Sequence, residues 1–169
     1  MKTQERRQRL LQLLNSEQPR KGTELAALLG VSRQVIVQDV AVMRAAGVNI
    51  LATPQGYLLP DVNNRSRRIF PCLHGFEAIE RELQVIVDCG GKVIDVIVEH
   101  PLYGEIRGYL MIASRFDVQK FIGDLKESGA QPLYTLTESG IHLHTVEAPR
   151  EEVLDIIAEK LAQEGFLIK

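Results

Sequence analysis

The sequence predicts an α+β protein of two domains: three N-terminal helices with a small hairpin, then a two-layer sandwich with a mostly antiparallel sheet. One observation is charge: up to Arg68 the chain carries 11 Lys and Arg against 5 Asp and Glu, and from Ile69 onward 9 against 17. Another is the periodicity of apolar residues. Near the start they have the spacing of amphipathic helices, and farther along they form β-branched runs typical of strands. We therefore predict a basic domain over 1–60, a linker over 61–68 and an acidic domain over 69–169.

Three helices are predicted in the basic domain. The first covers about 3–15, where leucines lie opposite arginines. Thr23 is expected to cap a second helix that ends at Gly30, and Ser32 a third that runs to about Ala46. The buried stripe of this third helix is predicted to consist of Ile36, Val40 and Met43.

A hairpin follows, because two short apolar runs within 49–59 flank a Pro-Gln-Gly turn. Three helices and a hairpin form a winged helix-turn-helix, whose third helix enters the major groove of double-stranded DNA. Arg can bond guanine, Gln can bond adenine, and Val can touch a thymine methyl. The predicted DNA-binding residues are Ser32, Arg33, Gln34, Val37 and Gln38. Phosphate contacts are expected from Arg6, Arg7, Arg20, Lys21 and Arg44. The alternatives are a three-helix unit with a merely solvated charged face, or a winged helix that binds another protein.

The acidic domain is predicted to have the element order β-α-β-β-α-β-β-α. Its elements are a strand at 69–73, a helix at 76–88, a strand at 93–98 with a hairpin partner at 105–113, a helix at 117–128 capped by Asp117, a hairpin of 133–137 with 141–147, and a last helix from Pro149 to about 163. A short final strand could cover 166–168.

Composition narrows the class of protein. No apolar run approaches the roughly 18 residues that a membrane span needs, and the charged start lacks a signal-peptide pattern. We therefore expect a cytoplasmic protein without a membrane partner. The two cysteines, Cys72 and Cys89, are too few for a disulfide scaffold and are expected to be reduced thiols.

All four histidines lie in the acidic domain. Side chains alternate along a strand, so His142 and His144 share one face about 7 Å apart, close enough to bind one metal ion. They could equally lie on an exposed sheet face without a metal. Further ligands could come from His74, from Cys72 beside it, or from the next helix, where period does not decide among Glu77, Glu80 and Glu82. For Cys72 a buried core position is the more common role.

A loop containing Pro and Gly follows the strand at 93–98. It presents His100, Tyr103 and Glu105. These side chains could form a pocket wall, and an exposed turn is an equal alternative.

Both domains resemble known families. In the basic domain, a G-V-S-R-x-x-I-x-x-D motif of bacterial repressors is matched by Gly30, Val31, Ser32, Arg33, Ile36 and Asp39. In the acidic domain, the segments 87–91, 95–105 and 141–145 resemble the three-histidine (3H) domain. The whole chain thus resembles the niacin-responsive transcriptional repressors of Gram-positive and related bacteria.

This resemblance implies a homodimer that binds a DNA operator and represses genes of NAD synthesis and niacin uptake, with nicotinic acid as corepressor. It implies a divalent metal, nickel or zinc, held by His74, Glu82, His142 and His144, and it is the resemblance that selects Glu82. We expect the effector to bind there with His100, Tyr103 and Glu105. Alternatives are a metal-responsive transcription regulator or a metal-dependent enzyme acting on a small pyridine ligand. The DNA-binding domain and the lack of an evident nucleophile favour a regulator over an enzyme.

Overall fold

The computed structural model describes residues 2–60 and 65–169, and the chain divides into two compact units between Asn63 and Asn64. The first four residues of the predicted linker, 61–64, lie outside the described residues. The last three belong to a strand that begins at Ser66, earlier than predicted.

The N-terminal unit contains three helices and a two-stranded antiparallel hairpin. They are α1 (Thr3–Leu13), α2 (Gly22–Leu29), α3 (Arg33–Ala45), β1 (Leu51–Thr53) and β2 (Gly56–Leu58). Ser32 caps α3 as predicted, since its hydroxyl accepts from the Val35 amide at 3.4 Å. The cap of α2 was predicted wrongly, because this helix begins at Gly22 and Thr23 lies inside its first turn. The predicted stripe of α3 is buried in the core with Leu10, Leu25 and Ile50.

A buried carboxylate joins the first and third helices. Asp39 on α3 is only 2% exposed, and it accepts from Arg6 Nε at 2.6 Å and from Arg7 Nε at 2.9 Å. These two arginines, which were expected to contact phosphates, therefore have a structural role. An unpaired buried carboxylate would be costly, so both guanidinium groups are held at this position.

We expect Asp39→Asn to lower the free energy of unfolding of this unit by about 2 kcal/mol, because it removes charged hydrogen bonds. Burial raises the pKa of Asp39, but Arg6 and Arg7 outweigh burial and hold it below its usual range. The stabilisation by ionised Asp39 is thus fully present above the pKa that this residue has in the unfolded chain. It is lost as the pH falls through the lowered pKa that Asp39 has in the folded protein. Urea unfolding measures this at neutral pH and near pH 3. The difference in free energy of unfolding between the wild type and Asp39→Asn should be smaller at pH 3.

The matched control is Glu24→Gln, which breaks the exposed pair with Arg20. It should change stability by less than about 1 kcal/mol. A difference between Asp39→Asn and the wild type that stays constant down to pH 3 would contradict the assigned pairing.

The C-terminal unit is built on a four-stranded sheet in the order β3-β6-β4-β5, with every neighbouring pair antiparallel. Short 3-10 turns precede α4 and β6. Its elements are β3 (Ser66–Cys72), α4 (Ile79–Asp88), β4 (Lys92–His100), β5 (Gly104–Ile112), α5 (Arg115–Ser128), β6 (His142–Ala148) and α6 (Glu151–Gln163). The α+β class and the mostly antiparallel sheet are confirmed.

One predicted strand is wrong. Leu133–Leu136 forms a 3-10 turn, and β6 pairs with β3 and β4 instead of with this segment. The hydroxyls of Thr135 and Thr137 donate to the carbonyls of Pro132 and Tyr134, at 2.7 and 3.0 Å. Such local bonds compete with a sheet ladder and favour a turn.

Helix starts also differ from the predictions. Ser114 caps α5, whereas Asp117 lies at the third helical position and completes a capping box. Pro149 precedes the N-cap of α6 and is not in its first turn. At the C-terminus, only Leu167 pairs, in an isolated bridge to Cys72.

The strands turn one face toward the helices. On β3 and β6 this face carries Phe70 opposite His144 and Cys72 opposite His142. Phe70, Cys72 and Val146 belong to the apolar core that α4 and α6 complete. The two histidines of β6 therefore point into the interior and not to solvent.

Within the described residues, no single helix is long and apolar enough to cross a membrane. Only α2 and α3 taken together reach that length and composition, and they are bent by 102° relative to each other.

Candidate functional site

The four side chains of the expected metal set meet beside the core of the C-terminal unit. His74 follows β3, Glu82 lies on α4, and His142 and His144 alternate on β6. Glu82 is buried because α4 turns Ile79, Glu82, Leu83 and Ile86 toward the sheet. The packing of α4 on the sheet thus selects Glu82, which the helical period of the sequence left open.

Glu82 is the centre of this cluster, and the Nε2 atoms of all three histidines face its carboxylate. His74 Nε2 lies 2.7 Å and His144 Nε2 lies 3.3 Å from Glu82 Oε2, and His142 Nε2 lies 3.6 Å from Oε1. Ligand atoms of His74, Glu82 and His142 all lie within 4.8 Å of one another. The structure thus brings the expected residues together.

The opposite nitrogen of each imidazole is held by the backbone. Each Nδ1 donates to a carbonyl: His74 to Gly75 at 2.9 Å, His142 to Gly140 at 3.0 Å and His144 to Asp95 at 2.8 Å. A carbonyl only accepts, so Nδ1 carries a hydrogen and Nε2 of each ring is the atom turned toward Glu82. A bound metal ion would take up the Nε2 lone pair of the neutral ring. Histidines that bind metals are oriented in this way.

The electrostatics keep Glu82 ionised although it is 1% exposed. Burial raises the pKa of Glu82, but the three histidines outweigh burial and hold it well below its usual range. Burial lowers the pKa of His74 and of His144, but Glu82 outweighs this effect and raises both. The site is therefore a buried anion surrounded by three imidazoles.

One oxygen atom of the cluster is available to a cation. Among the described residues, Glu82 Oε1 is buried without a hydrogen-bond partner. Such an orphaned acceptor costs about 1–3 kcal/mol, and a bound cation would satisfy it. Three imidazole nitrogens and one carboxylate are suitable ligands for a borderline divalent metal. The site is compatible with metal binding.

Of the other candidate ligands, Cys72 also lies near Glu82, since burial and the Glu82 carboxylate together raise the pKa of its thiol. Cys72 is fully buried in the apolar core, and its Sγ lies 3.7 Å from the carbonyl oxygen of Phe70. Glu77 is exposed, and Glu80 accepts from Gln84 at 3.1 Å. Of the three glutamates, only Glu82 faces the histidines.

A small cavity adjoins the cluster. Tyr134 stacks on His142, with ring centroids 5.3 Å apart and an interplanar angle of 27°. The histidines and Glu82 form its polar side, and the remaining wall is mainly apolar, from Ile79, Leu83, Val96, Leu110, Phe121, Leu125, Pro132, Leu133 and Tyr134. Such a cavity suits a small aromatic ligand with one polar group.

The loop expected to form a pocket wall does not reach this cavity. His100 Nδ1 accepts from the Leu102 and Tyr103 amides at 3.1 and 3.2 Å and so stabilises the β4–β5 turn. Tyr103 is 72% exposed, and Glu105 pairs with Arg107. The β4–β5 turn extends beyond the sheet because it joins the ends of two long paired strands directly. Sequence reasoning missed Tyr134 because its segment was assigned to a strand.

The expected DNA-binding residues follow one side of α3. Arg33, Gln34 and Gln38 are exposed and Val37 is half-buried, opposite the buried Ile36 stripe. Ser32 holds the start of this helix. The sequence of α3 thus presents polar side chains near its N-terminus, where a recognition helix contacts base edges.

Comparisons with known proteins cover both units. Residues 6–58 match the HTH domain family and residues 67–169 match the 3H domain family. A protein of Thermotoga maritima named "Probable transcription repressor NiaR" is 46% identical over 172 residues, covering 100% of this chain and 98% of that protein. "Transcription repressor NadR" of Bacillus subtilis is 44% identical over 168 residues, covering 97% and 93%. An uncharacterized protein of Methanothermus fervidus is 30% identical over 101 residues, 56% of this chain and 16% of that protein.

Proposed function

Because the chain belongs to the family of transcription repressors that includes NiaR of Thermotoga maritima and NadR of Bacillus subtilis, we propose that it represses genes of NAD synthesis and niacin uptake, with nicotinic acid as corepressor. The prediction of a regulator and not an enzyme is confirmed, since both relatives are named as transcription repressors. The observation that carries the finer proposal is the histidine cluster on buried Glu82, directly beside an aromatic-lined cavity.

In this proposal a nickel or zinc ion is held by His74, Glu82, His142 and His144. When bound, the ion supplies a Lewis acid that can attract the ring nitrogen or the carboxylate of the effector. The support is the unpartnered Oε1 of Glu82 and the three Nε2 atoms that converge on this carboxylate.

The effector is assigned to the cavity and not to the loop of His100, Tyr103 and Glu105. Tyr134 offers a ring face, and Phe121 and the leucines exclude water from an apolar pyridine ring. The polar end of the ligand would then lie toward the metal site.

At the other end of the chain, Arg33, Gln34, Val37 and Gln38 are proposed to contact the bases of a double-stranded operator, with Ser32 fixing the helix start. A homodimer would present two such helices to half-sites about 34 Å apart, one turn of DNA. Effector binding would favour the dimer arrangement with this spacing. The protein would act in the cytoplasm, without a membrane partner.

The direct test is binding of the full chain to promoter DNA of these genes, titrated with metal alone, nicotinic acid alone, nicotinamide with metal, and nicotinic acid with metal. We expect affinity to rise by at least about tenfold only with metal and nicotinic acid together, within the usual range of allosteric coupling. A full rise with metal alone would identify a metal-responsive regulator. Equal affinity throughout would contradict the corepressor proposal.

Two tyrosine variants test where the effector binds. Tyr134→Ala should weaken nicotinic acid binding by about five- to tenfold, because aromatic stacking contributes about 0.5–1.5 kcal/mol beyond the area buried. Tyr103→Ala, on the exposed turn, is the matched control and should bind as the wild type does. Calorimetric titration of the metal-loaded protein measures both, and the reverse order of effects would assign the effector to the turn.

A further inference from the structure

We propose that Asp95 is a positioning residue of this centre, one that holds His144 with its Nε2 directed to the metal. The inference rests on the proposed metal site but concerns a residue outside the four candidate ligands. It depends on three bonds that this single residue makes and on an irregularity in β4.

The irregularity is a β-bulge at the position where β4 passes the histidines. Val93 pairs with Val146 and Ile97 with Leu143, so three residues of β4 lie opposite two of β6. The register between β4 and β5 also shifts between Val93 and Asp95. A bulge interrupts the ladder and redirects the groups of the extra residue. Asp95 lies in this interrupted stretch.

Asp95 bonds two consecutive residues of β6. Its backbone carbonyl accepts from the Nδ1–H of His144 at 2.8 Å. Its carboxylate Oδ1 accepts from the backbone N–H of Thr145 at 3.0 Å. The first bond fixes the ring, and the second fixes the backbone immediately after it. The imidazole cannot rotate freely while both bonds are intact.

Arg107 on β5 completes the arrangement. Its Nη1 lies 2.6 Å from Asp95 Oδ2, and its Nη2 lies 2.9 Å from Glu105. Asp95 is fully buried, where a carboxylate without partners would be costly. An apolar residue would avoid that cost but would leave the Thr145 N–H without this acceptor. A carboxylate therefore occupies this buried position because the bulge needs an acceptor for the Thr145 N–H.

The consequence for His144 concerns the position of its hydrogen. While Nδ1 donates to the Asp95 carbonyl, the neutral ring has a lone pair on Nε2. If this bond is lost, the neutral ring can instead carry hydrogen on Nε2 and donate it to Glu82 Oε2, which is 3.3 Å away. That tautomer would block metal coordination through Nε2.

The variants for the test are Asp95→Ala, which removes the carboxylate, and Asp95→Asn, which keeps an acceptor for Thr145. Asp88→Ala is the matched control, because Asp88 also pairs with an arginine, Arg115, but is exposed. We expect zinc affinity to fall by about 10- to 100-fold in Asp95→Ala, the usual loss for an orienting partner. Asp95→Asn should recover part of this loss, and Asp88→Ala should bind as the wild type does.

A second measurement is independent of metal binding. Nitrogen-15 NMR of the metal-free protein, titrated with alkali until the ring signals of His144 stop changing, reports which nitrogen of His144 carries hydrogen. We expect Nδ1–H in the wild type and in Asp88→Ala, with a shift toward Nε2–H in Asp95→Ala. General destabilisation would not produce this change. If Asp95→Ala does not fold, Asp95→Asn must show part of the shift.

The two measurements separate the proposals. A wild-type protein that binds no metal would contradict the proposed metal site, while the NMR spectrum would still decide the role of Asp95. Wild-type tautomer and wild-type zinc affinity in folded Asp95→Ala would overturn the positioning role.

Discussion

Replacing Glu82 by Gln should weaken the binding of nickel or zinc by more than about 100-fold, since losing a mere orienting partner already costs about 10- to 100-fold. Glu82 supplies the anionic group of the cluster, and all three candidate histidines face it. An amide of the same shape keeps the packing of α4 but offers no charge to a cation. Competition against a chromophoric chelator gives the affinity, and elemental analysis gives the metal content.

The neighbouring Glu77→Gln is the matched control, because this carboxylate is exposed and lies outside the cluster. It should retain the wild-type metal content. The double variant His142→Ala with His144→Ala should lose the metal as completely as Glu82→Gln does. Unchanged affinity in Glu82→Gln would mean that the ion binds elsewhere.

The candidate metal ligands on β6 could be predicted from the sequence because their geometry is local. A strand alternates its side chains, so His142 and His144 had to share a face wherever the strand lay. Which acid faced them depended on how α4 packs, and the residues alone left three glutamates open. The resemblance selected Glu82, and the apolar stripe of Ile79 and Ile86 now explains why.

The cavity proposed for the effector was harder to predict from the sequence, because it depends on tertiary packing. A chain segment with Leu133 and Tyr134 has strand-like composition, yet threonine hydroxyls bond its carbonyls and turn it over the sheet. The stacking of Tyr134 on His142 therefore has no signature in the spacing of residues. The loop of His100 and Tyr103 has the composition of a binding site, but two paired strands carry it away from the cavity. The side chains of this loop therefore do not line the cavity beside the histidines.

The N-terminal unit was more predictable, because short helices with caps and one hairpin depend on adjacent residues. What sequence reasoning missed there are two distant contacts. Asp39 pairs with the arginines of α1, and the wing pairs with the chain before α2. The first fixes α3 relative to α1, and the second fixes the hairpin relative to the segment before α2. Both therefore affect how the proposed DNA-binding surface is assembled.

The largest stability effect in this unit is expected from Gly56→Ala. Tyr57 donates its amide to the Arg20 carbonyl at 2.8 Å and accepts from the Arg20 amide at 2.9 Å, so the wing is joined to this segment. Gly56 has φ +137°, and a Cβ there would clash with the carbonyl group of Arg20 and lie 2.8 Å from Lys21 N. Backbone strain and the clash together should lower the free energy of unfolding by about 3 kcal/mol.

Gly47→Ala separates the two causes, because Gly47 also has a positive φ, +92°, but a Cβ there would meet nothing within 4 Å. It should cost only about 1–2 kcal/mol of strain. Hydrogen exchange of the full chain measures both, with the C-terminal unit as an internal reference that should not change. Gly56→Ala should also weaken operator binding, because the wing would leave its place beside Arg20. Equal losses in the two variants would mean that the contact with Arg20 contributes nothing beyond backbone strain.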